Sequence, residues 1–431
     1  MARNAYDVLA ERGFIQQVTD ADAVRALFAG APVSVYVGYD PTAASLHVGH
    51  LLTLMALMHL QRAGHRPVAV LGGGTALVGD PSGKTEMRQM LTQSRIEANV
   101  ATVGEQIRRL LGGDAAELEV VNNGEWLCAL RYIDFLRDVG RHFSVNRMLA
   151  AEAYRQRLER GLSFIEFNYQ LLQAYDFLEL HRRYGCSVQM GGDDQWGNIL
   201  AGVDLVRRMD HAEVHGLTVP LLLTAAGEKM GKTASGAVWL DPERVAPYDY
   251  YQYWVNVHDA DVARMLLYFT FLPTAEVAEV EQLQGAPLNA AKSVLAYEAT
   301  AVVHGESAAM QAHEAAQGAF GRRALPRELL PSSQVPRQVQ ADTAHVPTTE
   351  ISEHALADGM QLPDALAQSG LCASKKEARR KLAEGAVRLN GVKTDDSQRL
   401  LLREDFRDGE LELRVGKKKV HKLRLLPVSN A

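Results

Sequence analysis

The stretch from Val33 to Leu71 constrains the fold more than any other part of the chain. Val33–Val37 (VSVYV) is a short β-branched run, and turn chemistry follows at Gly38–Thr42. His47-Val48-Gly49-His50 then leads into a segment dominated by Leu, Met and Ala, read as helix from His50 to Ala63, with Gly64 as its stop. Pro67–Leu71 is a second apolar strand, ended by Gly72-Gly73-Gly74. Strand, helix and strand at this spacing make a βαβ unit, which requires parallel strands and a right-handed crossover. Further strands are expected at Ser187–Met190 and Leu217–Leu223. The expected fold is therefore α/β, a doubly wound parallel sheet of Rossmann-like type, whose ligands sit at the carboxyl ends of the strands.

The chain has 431 residues, enough for two or three domains rather than one core. Apolar residues recur at helical spacing from Pro247 to about Phe320. Pro326, Pro331, Pro336 and Pro347 then mark residues 321–350 as a linker, and a compact segment occupies 351–431. The net charge of −6 argues against a nucleic-acid partner only while the chain is taken whole. Residues 351–431 hold 16 basic and 12 acidic side chains, a net of +4, which leaves −10 for residues 1–350. A basic terminal segment is a candidate anion-binding surface, although a solvated helix face has the same composition.

Cys128, Cys186 and Cys372 are odd in number and far apart, so neither a disulfide framework nor a zinc pair can be read from them. The first residues lack an apolar signal core, and the longest greasy run, Leu51–Met58, is too short to span a bilayer. A cytoplasmic location without membrane attachment is expected.

Two phosphate-loop patterns fail on spacing. Gly83-Lys84-Thr85 would need a glycine at Val78 to make a Walker A loop, and Leu77 stands where Gly72-Gly73-Gly74 would need its last glycine for a dinucleotide fingerprint. The glycines can still serve as a tight strand exit, and a Lys-bearing loop can still hold phosphate. His47 and His50 flank Gly49 where a loop becomes a helix, and a helix N-terminus suits phosphate. Zinc is not expected there: no third ligand is near, and His59 and His65 are off the face. About 180 residues later, Lys229-Met230-Gly231-Lys232-Thr233 places two lysines around a glycine, a loop able to close over pyrophosphate.

Tyr36–Thr42 (YVGYDPT) and Ser45–His50 (SLHVGH), with Lys229–Thr233 downstream, resemble the signature segments of class I aminoacyl-tRNA synthetases. Gly79–Lys84 (GDPSGK), His142–Asn146 (HFSVN), Tyr169–Asp176 and Gln189–Asn198 (QMGGDDQWGN) are similar to segments of the bacterial-type tyrosyl-tRNA synthetases. The resemblance covers essentially the whole chain. A tryptophan-specific relative and an RNA-binding relative without activation are the alternatives.

Tyr169, Gln173 and Asp176 stand at i, i+4 and i+7, on one face of a helix. The resemblance implies that Tyr169, Gln173 and Asp80 hold the α-ammonium of L-tyrosine, Asp176 and Tyr36 its phenolic hydroxyl, and Gln195 its carboxyl group. It implies that His47 and Thr42 serve the γ-phosphate of ATP and His50 the region of the ring and ribose. Lys84, Arg88, Lys229 and Lys232 would act on the pyrophosphate. Gly38, Asp40, Gly49, Gly192, Asp194 and Lys232 would complete the ATP site, with Asp194 on the ribose hydroxyls. Magnesium would arrive on ATP. Val37 replaces a common cysteine, Asp193 a common serine, and the loop lacks the serines of Lys-Met-Ser-Lys-Ser.

The resemblance also implies a catalytic domain over residues 1–225, with a dimer-forming helical insertion at about 125–165, hence a homodimer. Residues 226–320 would hold the lysine loop and an α-helical anticodon-side domain, and 351–431 a small α+β RNA-binding domain like that of a ribosomal protein. There Ser374 and Glu377 read as a capping box, and Asn390-Gly391 as a hairpin turn. Lys375, Lys376, Arg379, Arg380 and Arg388 are the expected contacts to tRNA(Tyr).

Overall fold

The computed structural model describes residues 3–82, 91–112, 118–150, 154, 158, 161–225, 227, 230–233, 236–321, 323–338, 346–416 and 419–426, without the side chains of Lys232 and Thr233. Two compact units form. One comprises Met1–Thr233, Ala237–Arg244 and Ala263–Ala275; the other comprises Ala234–Gly236, Val245–Val262 and Glu276–Ala431.

The first unit is built on a six-stranded sheet. Its strands are β1 (Gln17–Val18), β2 (Ser34–Tyr39), β3 (Arg66–Leu71), β4 (Glu119–Asn122), β5 (Cys186–Gly192) and β6 (His215–Val219), in the spatial order β1-β6-β5-β2-β3-β4. Only the β1–β6 pair is antiparallel; β2 pairs in parallel with both β3 and β5. The chain winds outward from β2 through β3 to β4, then returns to β5 and continues the other way to β6. That reversal opens a crevice at the carboxyl ends of β2 and β5, where ligands of such sheets bind. The Rossmann-like reading therefore holds, with two short outer strands, β1 and β4, that carry too few residues to stand out in the sequence. β6 ends at Val219 rather than at Leu223, because Pro220 has no N–H to continue the ladder.

Helix α1 (Val48–Arg62) follows β2 and is buried almost all round from Leu51 to Leu60, so it lacks a polar stripe. Helix α2 (Gln93–Leu111) precedes β4. Helix α3 (Tyr169–Tyr184) ends at Gly185, whose φ of +61° closes the last turn before β5. Helix α4 (Trp196–Asp210) starts directly from the β5 exit.

In the second unit α5 (Pro247–Val255), α6 (Gly285–His304) and α7 (Glu306–Phe320) pack together. Residues 323–338 of the expected linker are docked: Leu330 and Val335 are buried, and Arg337 donates to the carbonyls of Pro326, Leu329 and Leu330. Prolines stop helix there without stopping packing. A five-stranded sheet follows from β7 (Thr348–Ser352), β8 (Val387–Leu389), β9 (Val392–Thr394), β10 (Glu410–Val415) and β11 (Lys419–Leu426), in the order β9-β8-β10-β11-β7. Asn390 and Gly391, at φ +43° and +83°, make the two-residue turn that their sequence requires. Helix α8 (Lys375–Ala383) covers this sheet through Ala378 and Leu382. Ser374 caps it as read, accepting from Glu377 N at 3.2 Å, but the Glu377 carboxylate reaches back to Ala373 N rather than to the cap residue.

Candidate active site

Four strand exits supply the site. Asp40 follows β2, Gly72–Thr75 follows β3, Asn123 follows β4, and Asp193–Gln195 follows β5, which ends at Gly192. Beneath them, Tyr36 on β2 and Asp176 on α3 are both buried. Tyr36 packs edge-on against Phe177, and its hydroxyl has no hydrogen-bond partner among the described residues. Burial, with the nearby Asp176 charge, raises the Tyr36 pKa well above that of a free phenol.

Asp176 accepts from Trp126 Nε1 at 2.7 Å and from Asn123 Nδ2 at 2.9 Å. Desolvation dominates its ionisation and pushes the pKa up to about 7; the two hydrogen bonds act against that, and Asp40 and Glu179 act with it. A buried carboxylate near a buried, unpartnered phenol asks for a ligand group that both donates and accepts.

Asp40 joins this pocket. Its Oδ1 accepts from Thr75 Oγ1 at 2.7 Å and its Oδ2 from the Tyr169 hydroxyl at 2.9 Å. A third carboxylate, Asp80, accepts from Gln195 Nε2 at 2.7 Å and from Ser82 N at 2.9 Å. Asn198 Nδ2 donates to Gln173 Oε1 at 2.9 Å, gathering Gln173 and the Asp80–Gln195 pair into one cluster. Tyr169, Gln173, Asp80, Gln195, Tyr36 and Asp176 are thus brought together. Gln195, expected at a substrate carboxyl group, is a partner of Asp80.

The two histidines cap α1 with their own rings. His47 Nδ1 accepts from Gly49 N at 3.0 Å, and His50 Nδ1 accepts from His47 N at 3.2 Å; the rings stack with centroids 3.9 Å apart. With Nδ1 accepting, each neutral imidazole carries its proton on Nε2, the atom a phosphate oxygen would need. Gly49 is required locally, because a Cβ there would stand 2.8 Å from His47 Cε1. Gly231 of the lysine loop is tied to this helix start: its O accepts from Val238 N at 2.8 Å, and Val238 O accepts from Val48 N at 3.0 Å. Gly231 has φ +81°, open to glycine. The backbone of Lys232 continues from it, whereas Lys84, Arg88 and Lys229 lie outside the described residues. Thr42 is exposed beside Asp40, whose carbonyl accepts the Thr42 N–H at 2.8 Å.

Gly38 has open space where a side chain would be, and a Cβ at Gly192 would approach Asp194 Oδ1 to 2.8 Å. Asp193 turns away from the crevice and accepts from Gln17 Nε2 and Thr218 Oγ1 at 2.7 and 3.0 Å. Its role is to pin the edge strand. Among the described residues, no three His, Cys, Asp or Glu side chains cluster closely enough to hold a metal ion.

The family model for class I tRNA synthetases (W and Y) matches residues 29–321, and the model for the tyrosine–tRNA ligase C-terminal domain matches residues 338–423. The chain is 53 % identical over 421 residues to the tyrosine–tRNA ligase of Desulfosudis oleivorans, covering 96 % of this chain and 97 % of that one. With the ligase of Syntrophus aciditrophicus the identity is 52 % over 419 residues, covering 97 % and 98 %. The chain belongs to the tyrosine–tRNA ligases. The fold likeness extends to a C-terminally truncated mitochondrial tyrosyl-tRNA synthetase of Aspergillus nidulans, with a TM-score of 0.67 and 33 % identity over 74 % of this chain and 94 % of that one.

As a ligase of this family, the chain is an aminoacyl-tRNA synthetase, and the residues missed in the sequence are those that hold its pocket in place. Asn123, Trp126 and Thr75 have no role assigned by the sequence, and Asn198 closes a family segment without one; only the fold brings them to the carboxylates. The Trp126 ring is fixed from outside by the Arg183 guanidinium, 5.3 Å from its centroid.

The ligase's second unit carries a cavity of about 710 Å³ lined by Asn289, Lys292, Phe320, Arg323, Arg388 and Arg414, among others. Arg414 lies over the Phe320 ring, and its buried Nε has no partner among the described residues. Arg323 and Arg388 face no carboxylate partner among the described residues, donating instead to backbone carbonyls and, for Arg323, to Ser293 Oγ. On α8, Lys375 pairs with Asp364 at 2.8 Å and Arg380 lies 3.7 Å from Glu384, while Lys376 and Arg379 have no such pair among the described residues. No helix among the described residues is long and apolar enough to cross a membrane.

Proposed function

We propose that this chain activates L-tyrosine with ATP and then transfers the tyrosyl group to the 3′ end of tRNA(Tyr). The observation that carries the reading is the pairing of buried Asp176 with the unpartnered Tyr36 hydroxyl. A phenolic hydroxyl can donate to the first and accept from the second; an indole N–H can only donate, and a phenyl ring can do neither. Admitting phenylalanine would leave both groups desolvated and unpaired, a form of discrimination for which tyrosine–tRNA ligases are themselves the standard illustration.

In the first step the tyrosine carboxylate attacks the α-phosphorus, a new P–O bond forms, and the bond to the bridging oxygen breaks to release pyrophosphate. A carboxylate needs no general base. Positioning and charge stabilisation therefore carry the step. Asp80, Gln173 and Tyr169 take the ammonium group. His47 and His50 present Nε2–H to the phosphates at the α1 N-terminus, with Thr42 beside them. Lys84, Arg88, Lys229 and Lys232 neutralise the departing pyrophosphate, and magnesium rides on ATP. Asp194, with Gly38, Asp40, Gly49 and Gly192, shapes the nucleotide side. In the second step the terminal ribose hydroxyl of tRNA attacks the tyrosyl carbonyl and AMP leaves. The second unit grips the tRNA through Arg388, Lys376 and Arg379 and through the cationic cavity.

The same reading makes the enzyme a homodimer. Tyr132, Ile133, Val145, Phe164 and Ile165 form a run of exposed large apolar side chains within the expected insertion, with Ile133 71 % and Phe164 69 % exposed. Exposed apolar side chains of this kind support an association surface in that segment. ATP–pyrophosphate exchange driven in parallel by tyrosine, tryptophan and phenylalanine tests the activity. Exchange with tyrosine alone is expected, and exchange with tryptophan instead would overturn it.

A further inference from the structure

The glycine run that fails as a phosphate loop ends in Thr75, which is 2 % exposed and carries no assigned role. Its hydroxyl donates to Asp40 Oδ1 at 2.7 Å and accepts from Asn123 Nδ2 at 3.0 Å. The same amide donates to Asp176 Oδ2 at 2.9 Å, while Asn123 Oδ1 accepts from Gly74 N at 2.8 Å. The direction of every link is fixed. The Gly74 N–H can only donate, so the oxygen of Asn123 must face it and the amide nitrogen must face Thr75 and Asp176. The one hydroxyl proton of Thr75 then goes to Asp40. Gly72 is part of the device: a Cβ there would come within 2.0 Å of Asp40 Oδ1 and 2.5 Å of Thr75 Oγ1.

We propose that Thr75 is a positioning residue that couples the phenol end of the tyrosine pocket to its ammonium end. The inference rests on the reading that Asp176 receives the phenolic hydroxyl. A continuous path runs from Trp126 and Asp176 through Asn123 and Thr75 to Asp40, and from Asp40 to the Tyr169 hydroxyl. In a buried network each bond polarises the next, and loss of a partner at one end is felt at the other. A ligand that lacks the hydroxyl therefore leaves Asp176 unpaired and also loosens Asp40 and, through it, Tyr169, which takes the ammonium group beside the reacting carboxylate. Recognition of the hydroxyl is thereby converted into alignment of the carboxylate for attack, which appears in kcat as well as in KM.

The test compares Thr75→Val, which keeps shape and removes the hydroxyl, with Thr75→Ser, which keeps the hydroxyl. ATP–pyrophosphate exchange is measured with tyrosine and with phenylalanine, and thermal melts verify folding of each variant. Thr75→Val is expected to lower kcat/KM for tyrosine about tenfold, partly through kcat, with phenylalanine changed less than about threefold; Thr75→Ser restores the tyrosine value. In the Thr75→Val, Asp176→Ala double variant the two losses should not add. Equal losses for both amino acids, additive losses, or no rescue by serine would overturn the coupling. Asp176→Ala alone separates the two claims. If it retains discrimination, the phenol reading fails; if it loses discrimination while Thr75→Val does not, only the coupling fails.

Discussion

Trp126 donates its indole N–H to Asp176 across 2.7 Å, joining the segment after β4 to a carboxylate on α3. This bond acts against the desolvation that raises the Asp176 pKa to about 7. Asn123 shares that task, and Asp40 and Glu179 work against it. In the free enzyme, kcat/KM for tyrosine should rise as Asp176 ionises and becomes a pure acceptor. Trp126→Phe removes the donor, so the inflection should move to higher pH by about one unit, with about a fivefold loss at neutral pH. A pH profile of tyrosine activation in both proteins measures this, and an unmoved inflection would separate Trp126 from the ionisation.

The same carboxyl group should leave a trace in stability. Its pKa is raised from 3.8 to about 7 on folding, so between those values the folded chain holds a proton that the unfolded chain has released. Stability from this group is present at low pH and is lost as pH rises through that window. The full effect is at most on the order of 4 kcal/mol. Denaturant unfolding at pH 5 and pH 8 should give a smaller difference for Asp176→Asn than for the parent enzyme. An equal difference would mean that Asp176 ionises freely in the folded state.

Gly49→Ala should separate nucleotide from amino-acid binding. The added methyl would press on His47 Cε1 from 2.8 Å, tilting the ring off its stack with His50. The Nε2 donors would then miss the phosphates, while the Asp176–Tyr36 end stays untouched. A rise of about tenfold in KM for ATP is expected, with tyrosine affinity by equilibrium dialysis unchanged. Weakened tyrosine binding would show that the helix start also shapes the amino-acid pocket.

What the sequence made legible follows physical locality. The βαβ unit, α1 and the Asn390-Gly391 turn depend on local runs of residues, and each formed, although β2 runs on to Tyr39 beyond the expected Val37 and α1 spans Val48–Arg62 rather than His50–Ala63. Tyr169, Gln173 and Asp176 could be grouped because a helix fixes their spacing. Asn123 and Trp126 could not, because their tie to Asp176 spans about fifty residues and no local pattern encodes it. Asp193 and Asp194 are adjacent in sequence, yet only the β5 exit decides that Asp193 turns to Gln17 and Thr218. The prolines of 321–350 reported the loss of helix correctly and said nothing of Leu330 and Val335, which are buried there.

Charge behaves in the same way, and the second unit lets it be tested. Counting basic residues on α8 overstates its field, because Lys375 and Arg380 are already paired with Asp364 and Glu384. Arg323 and Arg388 carry no such partner among the described residues and both line the cationic cavity. Exposed ion pairs hold little energy, but they do cancel the local potential that an RNA phosphate would meet. Arg323→Ala with Arg388→Ala should therefore weaken tRNA binding more than Lys375→Ala with Arg380→Ala. It should also reduce the slope of log affinity against log salt by about 1.5, which corresponds to two lost phosphate contacts. Tyrosine-dependent pyrophosphate exchange should stay at the parent rate, since the first unit alone holds that chemistry. Filter binding across a salt series reads both quantities, and an unchanged slope would remove the cavity from the RNA path.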